Sequence, residues 1–131
     1  MGAIRKRGKQ YAIRYYDAAA DAGGGRLTGA AASPGVVEGL ARVVVDVEQI
    51  AAVREGDVLV CPITSPAWAP IFANVRAVVT DIGGVMSHAA IVCREYGLPA
   101  VVGTGRATAE IRTGQTIRVD GTSGVVTILD A

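Results

Sequence analysis

The chain has 131 residues, a formal net charge of +1, and a composition that is 50% hydrophobic and 19% charged. That length suits one domain, which buries roughly two-thirds of its unfolded surface, and it excludes a complete two-domain kinase. The apolar fraction excludes global disorder, and the near-neutral balance argues against a dedicated nucleic-acid binder, which carries a strong basic excess.

The charge is uneven. Residues 1–32 hold six basic residues, including both lysines, against Asp17 and Asp21, whereas residues 33–131 hold seven arginines against ten acids. Residues 1–32 are expected as a basic N-terminal tail or linker, and residues 33–131 as the globular domain. A sharper reading makes the basic start a docking arm for an acidic partner surface or nucleic acid. Within it, Gln10 to Ala22 is alanine-rich and free of Gly and Pro, which predicts a short helix. Gly23-Gly24-Gly25 then breaks it and reads as a hinge.

Beyond Ser33 the pattern changes to short β-rich runs between turns. Ser33-Pro34-Gly35 is a turn, and Gly39 to Val47 is expected as a Val-rich strand. Gln49 to Val53 suits a single helical turn, and Val58 to Val60 a buried strand. Ser65 to Ala73, with Pro66, Trp68 and Pro70, is expected as a loop or short helix. Ala77 to Thr80 is a strand running into Asp81-Ile82-Gly83-Gly84. A helix follows, capped by Ser87 and closed at Gly97, with Pro99 just beyond. Ala89, Val92, Cys93 and Tyr96 are spaced to form its apolar face. Ala100 to Val102 is a strand, Ala107 to Arg112 a short helix, and Ile117–Val119 and Gly124–Leu129 the last two strands.

No apolar run reaches the ~18 residues of a membrane span, and no signal-peptide core follows the basic start. Cys61 and Cys93 form no CxxC pair and have no histidine nearby, so no metal site is expected. Free buried thiols in a cytoplasmic protein are the expectation.

His88 is the one histidine. A lone histidine is more often a packed or surface residue than a catalyst, but its context here is unusual. It follows a strand, a Gly-Gly pair and an N-cap, which sets it in the first turn of a helix. Unpaired backbone N–H groups and the helix dipole favour an anion there and disfavour an imidazolium. The glycines let backbone approach a bulky charged group. A neutral imidazole in such a place has the lone pair that a phosphoryl acceptor needs.

Residues 83–103 read GGVMSHAAIVCREYGLPAVVG, preceded by SPGVVEGLARVV at 33–44, DVLVCPITSPAWAPIF at 57–72 and AVVTDIGG at 77–84. This set closely resembles the phosphohistidine signature of the mobile domain of phosphoenolpyruvate-utilising enzymes, over residues 33–131. The resemblance implies an α/β fold of the swivelling β/β/α type, whose histidine takes a phosphoryl group at one site and passes it on at another. On that reading His88 is the nucleophile, and Gly83 and Gly84 form the turn beneath it. Ser87 caps the helix and contacts phosphate, and Thr80 adds a hydroxyl. Arg94 lies about 600° of helix beyond His88 and so is given a structural or partner-facing role. Met86 is an exposed apolar contact to the partner site. Cys93 stands where the family often has alanine.

The family's nucleotide-binding part and phosphoenolpyruvate-binding barrel have no counterpart in this sequence. The resemblance therefore implies a phosphocarrier, either a separate subunit or one domain of a larger enzyme, that binds no cofactor itself. Mg²⁺ with ATP or phosphoenolpyruvate is expected on partner domains or subunits that bind nucleotide, phosphoenolpyruvate or the acceptor. A swivelling-domain scaffold that is never phosphorylated is the alternative. A free-standing hydrolase is disfavoured, because the motif holds no second acid or base.

Overall fold

The computed structural model describes residues 25–129. The helix expected over Gln10–Ala22 lies outside them. Eight strands are formed: β1 (Arg26–Thr28), β2 (Ala30–Ser33), β3 (Val36–Val43), β4 (Val58–Cys61), β5 (Ala77–Thr80), β6 (Ala100–Val102), β7 (Thr116–Asp120) and β8 (Val125–Ile128). Two α-helices, α1 (His88–Tyr96) and α2 (Ala107–Glu110), and two 3₁₀ turns, Val47–Ala52 and Pro66–Ile71, complete the fold.

The strands form one ladder in the order β1-β8-β7-β3-β4-β5-β6-β2. Pairing is parallel from β3 through β6. It is antiparallel elsewhere. The ladder folds over at β3, so that β7 lies against β5 and β6. Two sheet layers result; α1 and the two 3₁₀ turns cover the far side of the parallel one, while Ala107 of α2 packs into the core between the sheets. This is the β/β/α layering that the sequence led us to expect.

The central strands explain the layering. Every residue of β4 (VLVC) and β5 (AVVT) is buried, as expected for parallel strands covered on both faces. Alternation sorts the side chains between two cores. Val58, Val60, Ala77, Val79 and Val101 meet Ile117, Val119 and Val126 between the sheets. Leu59, Cys61, Val78, Ala100 and Val102 meet Trp68, Phe72, Ala90 and Cys93 under the helices.

Three features differ from expectation in ways that bear on the architecture. The domain starts earlier, because β1 and β2 occupy residues 26–33. The expected tail-to-domain boundary at 32/33 thus falls inside β2. Neither Arg-Leu-Thr nor Ala-Ala-Ala-Ser carries strong β-propensity, so it is pairing with β8 and β6 that makes them strands. β3 also begins earlier, at Val36, which pairs with Asp120, and stops at Val43. It stops there because Asp46 caps the next turn, accepting from the Glu48 N–H at 3.1 Å while its own N–H donates to the Gln49 side chain at 3.2 Å. Finally, the buried face of α1 is Ala89, Ala90 and Cys93, while Tyr96 is 52% exposed.

Candidate functional site

Parallel strands β4 and β5 end side by side, with Cys61 opposite Thr80. The loops that leave them stay together. The Asp81 N–H donates to the Cys61 carbonyl at 3.1 Å and the Ile82 N–H to the Pro62 carbonyl at 3.0 Å. From the β6 side, the Thr104 N–H and hydroxyl both donate to the Thr80 carbonyl at 3.0 Å. The Asp81 carboxylate accepts from the Thr108 N–H at 2.9 Å and from its hydroxyl, which fastens the loop to α2. The carboxyl ends of parallel strands are where open α/β sheets place their ligands. Here that end carries a braced double loop.

Gly83 has a φ of 127°, a backbone conformation that side chains rarely adopt. Gly84 is open, and its carbonyl accepts from the Ser87 N–H at 3.0 Å, closing the turn that leads into α1. The Ser87 hydroxyl caps the helix by accepting from the Ala90 N–H at 3.3 Å.

His88 is the first residue of α1 and is half-buried. Its Nδ1 lies 2.8 Å from the hydroxyl of Thr64, which is itself buried. Phe72, fully buried, meets the imidazole edge-on, with ring centroids 6.0 Å apart and planes at 71°. The ring is therefore held at one nitrogen and along one side. In the tautomer whose Nδ1–H donates to the Thr64 oxygen, the lone pair sits on Nε2.

Gly83, Gly84, Ser87 and His88 are thus brought together. Thr80 is placed differently from the expectation of a pocket hydroxyl. It is fully buried, and its hydroxyl donates to the Ile82 carbonyl at 2.9 Å, bracing the turn from within. Arg94 donates to the Ala32 carbonyl at 2.9 Å, a structural tie between α1 and β2. Met86 is 77% exposed beside the site. Thr64 was not singled out in the sequence.

Both cysteines are free and buried. Burial pushes the Cys61 thiol up to about 12, with Asp81 and Cys93 adding to the effect. Burial likewise pushes Cys93 up to about 12, partly opposed by Arg94. Neither is a nucleophile at neutral pH. Among the described residues, no group of three or more His, Cys, Asp or Glu could hold a metal ion. No helix among them is long and apolar enough to cross a membrane.

A β/β/α domain with a glycine turn and a histidine at the carboxyl ends of parallel strands is one class of α/β module. The family described as PEP-utilising enzyme, mobile domain, matches residues 53–124, more than half of the chain, and the chain belongs to that family. The rifampicin phosphotransferase of Streptomyces sviceus is 51% identical over 105 residues, which cover 80% of this chain and 12% of that protein. The probable phosphoenolpyruvate synthase of Pyrococcus abyssi is 50% identical over 100 residues, 76% of this chain and 12% of that protein. The solution structure of an Enzyme I protein aligns with a TM-score of 0.55 at 31% identity, covering 63% of this chain and 34% of that one. The chain therefore spans about an eighth of the length of these curated relatives.

Proposed function

We propose that this chain is a phosphohistidine carrier, in which Nε2 of His88 takes a phosphoryl group at one partner site and gives it up at another. One observation carries the reading: Nδ1 of His88 lies 2.8 Å from the buried Thr64 hydroxyl, so that nitrogen is occupied within the protein and Nε2 is the one left to react. Nε2 attacks phosphorus, the Nε2–P bond forms, and the P–O bond to the donor breaks with its electron pair leaving on the donor oxygen. Nδ1–H keeps its hydrogen bond to Thr64, so the cationic character of the phosphorylated ring is stabilised without a proton being lost. Attack by an acceptor oxygen on the same phosphorus reverses the sequence and regenerates the neutral ring.

Gly83, Gly84 and Ser87 are the groups that would line the phosphoryl group at the helix N-terminus, where dipole effects favour an anion by about 0.3–1 kcal/mol each. That is too little to drive transfer. Mg²⁺ and cationic side chains on partner domains would neutralise the moving charge. The partners in this reading are domains or subunits that bind ATP or phosphoenolpyruvate and the acceptor. The two unpaired thiols suit a cytoplasmic setting, where they stay reduced.

The test is incubation with a donor partner and ³²P-labelled ATP or phosphoenolpyruvate. Label that is lost in acid and survives base, and is absent from His88→Ala, is the expected result. Label that persists in His88→Ala overturns the assignment, and a wild-type chain that a competent donor leaves unlabelled is a scaffold.

A further inference from the structure

We propose that the outer face of the antiparallel sheet formed by β1, β8, β7 and β3 is a docking surface for residues 10–22 of this same chain. The contact adds a layer on the side of the molecule away from α1, and it is independent of the carrier reading.

Alternation along the strands defines the face. Leu27, Ile117, Val119, Val126 and Ile128 point into the core between the sheets, so their chain neighbours point out. Register sets Arg26, Thr127, Arg118 and Glu38 abreast in one row. Val125, Asp120 and Val36 stand abreast in the next. Val36 and Leu40, on either side of Glu38, are 55% and 54% exposed. Thr127 breaks the pattern. An outward threonine on a bare sheet meets water, yet Thr127 is 6% exposed and its hydroxyl has no hydrogen-bond partner. A buried hydroxyl left unpaired costs free energy, so the middle of this face is a place where a further polar group belongs.

Position, pattern and charge identify the occupant. β1 is the edge strand of this sheet. The chain enters it at Gly25, whose φ of 87° turns the backbone and whose carbonyl accepts from the Ile128 N–H at 3.0 Å. Only Gly23-Gly24-Gly25 separates residues 10–22 from β1, and three glycines let a chain double back. The sequence predicts a helix over 10–22 in which Tyr11, Tyr15, Ala18 and Ala22 recur at i, i+4, i+7 and i+11. Arg14, Asp17 and Asp21 form a second stripe, about 100° further round. A helix of that length is about 20 Å long, and the three strand spacings from β1 to β3 total about 14 Å, so it would cover the face from edge to edge. The charged stripe is net negative, and the row of Arg26, Arg118 and Glu38 is net positive. Seating Asp17 and Asp21 over that row would bring a carboxylate acceptor to the Thr127 hydroxyl and lay the tyrosine stripe on Val125 and Val36.

The test is amide hydrogen exchange on the full chain. Amides of residues 10–22 should exchange at least about tenfold more slowly than in the same stretch as a free peptide. Tyr11→Gln/Tyr15→Gln should abolish that protection. Glutamine is a better helix former than tyrosine, so the loss reports docking of the stripe and not helix propensity. Tyr16→Gln, off the stripe, should keep the protection. Val125→Lys should abolish it from the other side while the amides of β7 and β8 stay protected. Should that variant not fold, the tyrosine variant, which leaves the sheet untouched, decides alone. Wild-type amides of 10–22 as fast as those of the free peptide overturn the proposal, and so does protection that survives either variant in a folded chain. Protection that rises with protein concentration overturns it as a contact within one chain and gives the face to a second copy. None of these readouts depends on phosphorylation of His88, so the carrier reading stands or falls separately.

Discussion

The contact between Thr64 and His88 occupies Nδ1 and leaves Nε2 as the free nitrogen of the ring. A net hydrogen bond is worth about 0.5–1.5 kcal/mol, and the upper end of that range corresponds to about a factor of ten in rate. Thr64→Val should therefore slow labelling of His88 about tenfold with little change in fold, because valine fills the same space. Thr64→Ser, which keeps the hydroxyl, should stay within about twofold. Equal labelling rates for the valine and wild-type chains would remove this bond from the mechanism. His88, Gly83, Gly84 and Ser87 were legible in the sequence because they lie within six residues and each has a local signature. Thr64 lies 24 positions away from His88. Its only available signal was position: it follows β4, and the histidine loop follows the adjacent parallel strand β5. Thr80 carried a misleading signal. Its nearness to the turn suggested a pocket hydroxyl, but both faces of β5 are covered, and the buried hydroxyl is spent on the Ile82 carbonyl.

At the scale of elements, two glycines with the same φ separate stability from function. Gly97 and Gly103 both have φ of 71°. Gly97 closes α1, and a Cβ there would meet nothing within 4 Å. Gly97→Ala should cost only the left-handed backbone penalty, about 1 kcal/mol, and leave labelling of His88 unchanged. At Gly103 a Cβ would stand 2.5 Å from the Gly83 carbonyl oxygen, inside the loop that carries the histidine. Gly103→Ala should cost roughly 3 kcal/mol and also slow labelling, because Gly83 must move. Urea midpoints and labelling rates of the two variants check both statements; equal labelling would mean that the loop tolerates the shift. The same contrast bears on what could be read from sequence. Helix α1 was legible from its caps, and β4, β5 and β6 from unbroken apolar runs. Strands β1 and β2 were not, since Arg-Leu-Thr and Ala-Ala-Ala-Ser carry little strand signal and are made strands by pairing with β8 and β6, the Gly29 N–H between them donating to the Gly124 carbonyl of the β7–β8 turn at 2.9 Å.

The whole molecule is two cores that share one parallel sheet, and its pH response follows from which core holds the thiols. Cys61 on β4 and Cys93 on α1 both lie in the helix-side core, directly behind the histidine loop, and both are fully buried. Burial raises each from 9.0 to about 12. Below pH 9 both thiols hold their protons whether the chain is folded or not, and the full stability is present. As pH rises past 9 the unfolded chain releases these protons while the folded chain retains them. Unfolding is then favoured by up to about 1.4 kcal/mol per pH unit for each thiol, until the folded values are reached. The urea midpoint should be flat from pH 7 to 8.5 and fall steeply between pH 9 and 10.5. The folded chain should resist a disulfide reagent at pH 8 and react at both cysteines once unfolded. Cys61→Ala/Cys93→Ala removes both titrating groups, so its midpoint should begin lower, through lost packing, and decline less across the alkaline range. An equally steep alkaline decline in the double variant would assign the effect to other groups. Because α1 starts at His88 and carries Cys93 on its buried face, labelling of His88 by a small phosphoryl donor such as phosphoramidate should persist while the midpoint falls and end only at the pH at which the midpoint reaches zero urea.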